Sequence, residues 1–315
     1  MKIYRSLEDI PHITHPVVTT GTFDGVHLGH QKVLNRISEI AKRNKGETLL
    51  LTFYPHPRMV LQPTDNDLKL LSTQEEKIEL LRKTGLDHLV VIPFTKTFSR
   101  LSALEYVRDI LVNKLGLKTL VIGYNHHFGR NREGSFEQLQ EFAPIYNFEI
   151  EEIPAQEIDN LEISSTKIRN ALMEGNVKIA ANYLGRNYEL GGTVVKGKQL
   201  GRSIGFPTAN IEIGDRYKLI PKNGVYAVKV MIDNKSFAGM LNIGFRPTFN
   251  NDNKLSIEVH IFNLNEDIYH KTISVSFVDR IRDEKKFSGA EELKKQLEED
   301  KKVVQGLKFE SSKSE

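Results

Sequence analysis

The spacing of apolar residues changes period partway along the chain, and no single architecture accommodates both periods. Before Leu184, short apolar runs (Val17–Thr20, Leu49–Phe53, Leu89–Phe94, Leu120–Gly123) alternate with stretches at helical spacing. Val33, Leu34, Ile37, Ile40 and Ala41 mark one such helix face, and Leu104, Val107, Ile110 and Leu111 another. Strand–helix alternation builds a parallel sheet with helices on both faces. After Leu184 the runs turn to period two: Gly191–Val195, Val225–Ile232, Phe237–Ile243, Leu255–Phe262 and Ile273–Val278, separated by turn residues at Asp233–Lys235 and Asn250–Asn253. Strands so closely spaced, with no helix between them, predict an antiparallel sandwich or small barrel. A last helix, with Ala290, Leu293, Leu297 and Val304 on one face, packs on it, and the polar end "KFESSKSE" reads as frayed. A chain of 315 residues is long enough for two cores. The expected boundary lies in Tyr183–Gly192, giving units 1–183 and 184–315.

Charge and composition remove several classes of function. With 44 basic and 41 acidic residues, net charge +3, the chain lacks the basic stripe of a nucleic-acid binder. Zero cysteines exclude disulfides, thiolate metal sites and cysteine nucleophiles. No run approaches membrane-spanning length and the first residues do not resemble a signal peptide, so a cytoplasmic protein without membrane contact is expected.

In parallel sheets ligands gather at the carboxyl ends of the strands. Two dense motifs fall there, "TGTFDGVHLGHQ" (Thr20–Gln31) and "GYNHHFGR" (Gly123–Arg130). In the first, a strand runs into Gly21 and Gly25 and a helix starts near His27–His30. Strand, glycine turn and helix start present free amides and a positive helix end to an anion. His27 and His30, three apart, project to one side, and Gly29 clears a side chain where a ligand approaches the backbone. Imidazole donors on a polyphosphate suit this arrangement. A zinc site completed by His56, His126 or His127 suits the spacing too, as does a purely structural pair.

"GTFDGVHLGH" resembles the H-x-G-H signature of the nucleotidylyltransferase superfamily, here His27, Leu28, Gly29 and His30. Downstream, "ISSTKIRNAL" resembles its second signature through Ser164, Ser165, Thr166 and Arg169. Together with "TFYPHP" and "GYNHHFGR", these stretches resemble the flavin adenylyltransferase module of bacterial bifunctional riboflavin kinase/FAD synthetases. The resemblance implies a Rossmann-like parallel sheet whose nucleotide site uses Gly21, Phe23, Gly25, His27, His30, Ser164, Ser165, Thr166 and Arg169. It implies a flavin site at Phe53, Pro55, His56, Pro57, Asn125 and Phe128, lined also by Gly123 and Gly129. Many relatives carry Asp at the Asn125 position, which leaves a metal role there open. Without the resemblance, Phe53 and Phe128 read equally as core aromatics or as stacking surfaces.

A second dense patch, "VVKGKQLGRSIGFPTANIE", places Gly197, Gly201 and Gly205 four apart with Lys198 and Arg202 between them. Such a loop could cradle phosphates through its amides, or be a solvated surface hairpin. "GFPTAN" resembles the Pro-Thr-Ala-Asn motif of riboflavin kinases, which implies an ATP site at Gly197, Lys198, Gly201, Arg202, Gly205, Thr208 and Asn210, with Thr208 and Asn210 holding Mg²⁺ with the nucleotide. The same resemblance makes Glu258 of "SIEVHIFN" the base for the ribityl hydroxyl, on a face with Ser256 and His260, and puts Arg280 and Phe287 near the flavin. What is expected overall is an α/β adenylyltransferase unit followed by an antiparallel riboflavin kinase barrel with a C-terminal helix. It would use ATP, riboflavin and FMN with Mg²⁺, with transient self-association as the one macromolecular contact.

Overall fold

The computed structural model describes residues 1–64, 68–123, 127–154, 163–197, 200–246 and 254–307. By contacts it divides into two compact units, Met1–Ser165 and Thr166–Glu315.

The first unit is a parallel sheet of six strands, β1 (Lys2–Tyr4), β2 (Val17–Thr20), β3 (Thr48–Tyr54), β4 (His88–Pro93), β5 (Thr119–Gly123) and β6 (Glu149–Ile153), ordered β1-β4-β3-β2-β5-β6. The four apolar runs are its interior strands: β2, β3 and β5 are buried over nearly their whole length, as a sheet covered on both faces requires. Helix α1 (Leu28–Asn44) lays Val33, Leu34, Ile37, Ile40 and Ala41 on one face of the sheet, each large side chain worth about 1.5–3 kcal/mol of burial. It ends at Lys45, whose left-handed backbone (φ 50°) closes the last turn. The other face is covered by a second cluster that takes in Val107 and Leu111. Those two lie on a π-helical segment, Tyr106–Lys114, which continues the short helix Ala103–Glu105. Two further helices follow β3, α2 (Pro57–Leu61) and α3 (Gln74–Arg82). At α3, Thr73 and Glu76 form a reciprocal capping box.

The second unit is a closed antiparallel barrel of β7 (Glu189–Val195), β8 (Ala209–Glu212), β9 (Gly224–Ile232), β10 (Lys235–Arg246), β11 (Lys254–Ile261) and β12 (Thr272–Arg282), ordered β10-β11-β8-β7-β12-β9. The pattern predicted a sandwich or barrel, and closure resolves it. The C-terminal helix Ala290–Gly306 packs outside, with Val304 and Leu297 against Phe206, Met240 and Phe262. Its polar anchor is Asp300, only 2 % exposed, which accepts from Arg282 Nε (3.0 Å) and Nη2 (2.8 Å).

The contact division falls earlier than the change of period at Leu184. The segment between holds two helices, Ser165–Glu174 and Val177–Leu184. It packs with the barrel: Lys222 donates its backbone N–H to Leu172, Lys178 pairs with Asp279, and a Cβ on Gly175 would strike Arg280. Amphipathic helices look alike whichever core they serve, so periodicity could not assign this pair.

Candidate functional site

At the carboxyl end of β2 the backbone leaves the sheet through Gly21 and takes positive φ at Phe23 (50°), Gly25 (80°) and Val26 (40°). A β-branched residue at positive φ is strained, and such strain concentrates at functional turns. Asp24 holds the bend from beneath: buried, it accepts from the backbone N–H groups of Leu71 (3.0 Å) and Ser72 (3.1 Å). Ser165 joins from the second signature, its hydroxyl donating to the Asp24 carbonyl at 3.1 Å.

His27 caps α1, its Nδ1 accepting from the His30 backbone N–H at 3.3 Å. That bond puts the proton of the neutral ring on Nε2. The two imidazoles stack at 3.6 Å between centroids, with Phe23 against His30 at 4.6 Å. His30 Nδ1 is buried with no hydrogen-bond partner among the described residues. Burial first, then His27 and Lys77, hold the His30 pKa well below the ordinary histidine value, so the ring is neutral at physiological pH. A Cβ on Gly29 would press on the His27 ring at 3.2 Å, so the glycine makes room for the imidazole. Among the described residues no three His, Cys, Asp or Glu side chains converge as metal ligands.

Beside this turn opens a cavity of about 730 Å³, lined by Thr20, Gly21, Thr22, Phe53, His56, Pro57 and Phe128. Sequence reasoning missed half of its aromatic wall. Phe94 meets Phe53 edge-on at 5.5 Å, Phe98 packs on both, and Tyr106 hydrogen-bonds Thr20 at 2.8 Å across the floor. Pro55, in a cis peptide with Tyr54, is not part of the lining, and Asn125 lies outside the described residues. Ser164, Thr166 and Arg169 belong to the segment that begins the helix Ser165–Glu174, where Arg169 is half-buried.

In the barrel, β8 and β11 pair so that Asn210 lies opposite Glu258. The Glu258 carboxylate accepts from the Thr208 hydroxyl at 3.1 Å and the Ser256 hydroxyl at 3.0 Å. A Cβ on Gly197 would fall 2.0 Å from the Asn210 amide, so only glycine fits there. Gly201 accepts from the Phe206 N–H at 2.8 Å, and Gly205 (φ 83°) turns the chain back toward the Pro-Thr-Ala-Asn stretch. His260 fixes that stretch by donating from Nδ1 to the Pro207 carbonyl at 2.8 Å, wedged between Phe206 and Phe262. A cavity of about 380 Å³ runs past Arg202, Pro207 and Thr208. Lys198 lies outside the described residues. Arg280 donates to the Asn223 carbonyl and to Asp283, both at 2.7 Å, and lies over Tyr226. Phe287 is half-buried between Arg282 and Lys285.

The parallel sheet thus carries a histidine pair at a glycine turn beside an aromatic cavity, and the barrel carries a Thr208–Glu258–Asn210 cluster. A family model for FAD synthetase matches residues 10–167 and one for riboflavin kinase residues 184–307. The bifunctional riboflavin kinase/FMN adenylyltransferase of Listeria monocytogenes is 41% identical over 284 residues, covering 90% of each chain. That of Buchnera aphidicola subsp. Schizaphis graminum is 38% identical, covering 96% of this chain and 98% of its own, and that of Escherichia coli (strain K12) 35%, covering 95% and 96%. A crystal structure from Streptococcus pneumoniae, described as a macrolide-efflux protein, superposes with TM-score 0.89 at 32% identity, covering 98% of this chain and 99% of its own. The chain belongs to the bifunctional riboflavin kinase/FMN adenylyltransferase family.

Proposed function

We infer that the chain carries out two successive ATP-dependent steps on one flavin. Riboflavin is phosphorylated to FMN with release of ADP, and FMN is adenylylated by a second ATP to FAD with release of pyrophosphate. Residues 184–315 carry the first step and residues 1–183 the second.

In the adenylyl step the FMN phosphate attacks the α-phosphorus of ATP in line, and the α–β bridging oxygen leaves with pyrophosphate. His27 and His30 stabilise the charge that develops on the phosphates, and the acceleration comes from positioning and electrostatics. The buried His30 Nδ1, unpaired among the described residues, is the observation that carries this reading: beside the glycine turn and the cavity, a ligand is what would complete it. Phe53, Phe128, His56 and Pro57 hold the isoalloxazine ring in the aromatic cavity.

In the kinase step Glu258 takes the proton of the ribityl hydroxyl as that oxygen attacks the γ-phosphorus. The Thr208 and Ser256 hydroxyls each donate to one Glu258 oxygen, which orients the carboxylate as a base. The Thr208 hydroxyl and the Asn210 amide oxygen are hard, neutral donors, and glycine at 197 leaves room for the Asn210 amide that any Cβ would take, a set that fits Mg²⁺ held jointly with ATP. Bound there, the ion would neutralise phosphate charge.

Purified protein given riboflavin and MgATP should produce FMN and then FAD, separable by chromatography; neither product would overturn the assignment. A fragment starting at Leu184 should fold and still make FMN. A folded but inactive fragment would move the functional boundary upstream, toward the contact division at Ser165. Cytoplasmic placement and transient self-association belong to the same reading, checked by fractionation and by light scattering at rising concentration.

A further inference from the structure

Lys77, on α3, is 7 % exposed. Its Nζ donates to the Thr22 carbonyl at 3.2 Å and to the Thr52 hydroxyl at 3.4 Å, and Thr52 itself donates to the same carbonyl at 3.3 Å. No carboxylate lies within ion-pairing distance of Nζ among the described residues. Asp24, the nearest acidic influence, spends its oxygens on Leu71 and Ser72. A buried ammonium with only neutral partners is costly. Burial pulls its pKa down to about 8 against the pull of Asp24, so the group is still largely charged at neutral pH.

The Thr22–Phe23 peptide converts that anchor into an orientation. A peptide group is planar and trans, so its C=O and N–H point in opposite directions. Lys77 and Thr52, both buried, hold the Thr22 carbonyl inward. The Phe23 N–H therefore points away from them, in the turn whose Gly21 and Thr22 line the cavity, and it makes no hydrogen bond among the described residues. We infer that Lys77 is a positioning residue for the nucleotide: it aims the Phe23 amide at a phosphate oxygen of ATP and sets a fixed positive charge behind the turn, with the bound phosphates as its missing counter-charge. The inference rests on the adenylyltransferase reading of the first unit.

Lys77→Met keeps the length and removes the charge and both donations, and the Thr52–Thr22 bond remains to hold the fold. Initial rates of FAD formation from supplied FMN should show kcat/KM for MgATP lower by roughly tenfold to a hundredfold, below the loss from deleting a direct donor. KM for FMN and the rate of riboflavin phosphorylation should stay at their wild-type values, a split that general loosening of the unit would not produce. Lys77→Gln, a neutral donor, should recover part of the loss, and Thr52→Val, which spares the charge, should lose less than Lys77→Met. Unchanged ATP parameters in a folded Lys77→Met enzyme would overturn the inference and leave the adenylyltransferase reading intact; equal losses toward ATP and FMN in all three variants would make Lys77 merely structural. A wild-type protein that forms no FAD from FMN would overturn the reading beneath it.

Discussion

At the N-terminal site the polar groups are buried and fixed in place: His27 caps its helix, His30 stacks between two rings, and Asp24 and Lys77 hold the turn from inside. At the C-terminal site the key groups lie half-buried on the outside of a barrel, and they already bond one another, Thr208 and Ser256 to Glu258. On the function proposed above, the first arrangement would meet an incoming phosphate with little reorganisation but leaves a polar atom unsatisfied and a cation buried. The second is stable by itself and must exchange an internal hydrogen bond for a ligand. On that proposed function both solutions handle ATP on one chain, so a shared substrate does not dictate how dry its site must be.

Glu258→Gln tests the open site most severely. Gln keeps the reach and cannot accept the hydroxyl proton, so FMN production should fall by roughly 10²–10⁴ while conversion of supplied FMN to FAD is spared. Wild-type phosphorylation in that variant would remove Glu258 from the mechanism. His30→Ala tests the buried site: FAD formation should drop by roughly 10²–10³ with riboflavin phosphorylation intact, and equal damage to both activities would deny the local role. Asp300→Ala sharpens the contrast on stability alone. It leaves Arg282 without its bidentate partner, so the second unit should lose about 3 kcal/mol in denaturant titration while the unfolding of the first is unmoved. A change under about 0.5 kcal/mol would show that apolar packing alone seats the C-terminal helix.

What could be read in the sequence follows how each element earns its burial. β2, β3, β4 and β5 are apolar because both faces are covered, and their runs stood out within a residue or two of their ends. β1 and β6 did not: three residues give no period, and Glu149, Glu151 and Glu152 make β6 look like loop. β8 hid inside the Pro-Thr-Ala-Asn stretch, whose interest seemed wholly chemical. At the candidate site, His27 and His30 stood out by their spacing at a glycine turn, whereas Thr208 and Glu258 stood out only through the resemblance to riboflavin kinases. Phe94, Phe98 and Tyr106 did not, since an aromatic in an apolar run reads as core until the cavity beside it is seen. Lys77 gave still less signal, because a lysine on a helix reads as solvated. Its one signal is position: it falls on the same buried face as Ile78 and Leu81, one turn from Thr73.

The difference between an open sheet and a closed barrel reaches beyond catalysis to solubility. Among the described residues every barrel strand has a neighbour on each side, so the second unit offers little backbone edge on which another chain could grow. The sheet has two edges, and each is guarded differently. On β6 Glu149 and Glu152 put like charges along the margin and repel a second copy of themselves, while Glu151 is paired with Arg36. On the far side only β1, through Lys2, Ile3 and Tyr4, shields β4, whose His88–Pro93 run is almost wholly apolar. That short strand works as a bumper: with it displaced, the protein would present an interior-grade strand to its neighbours and become prone to aggregate while both active sites were still intact.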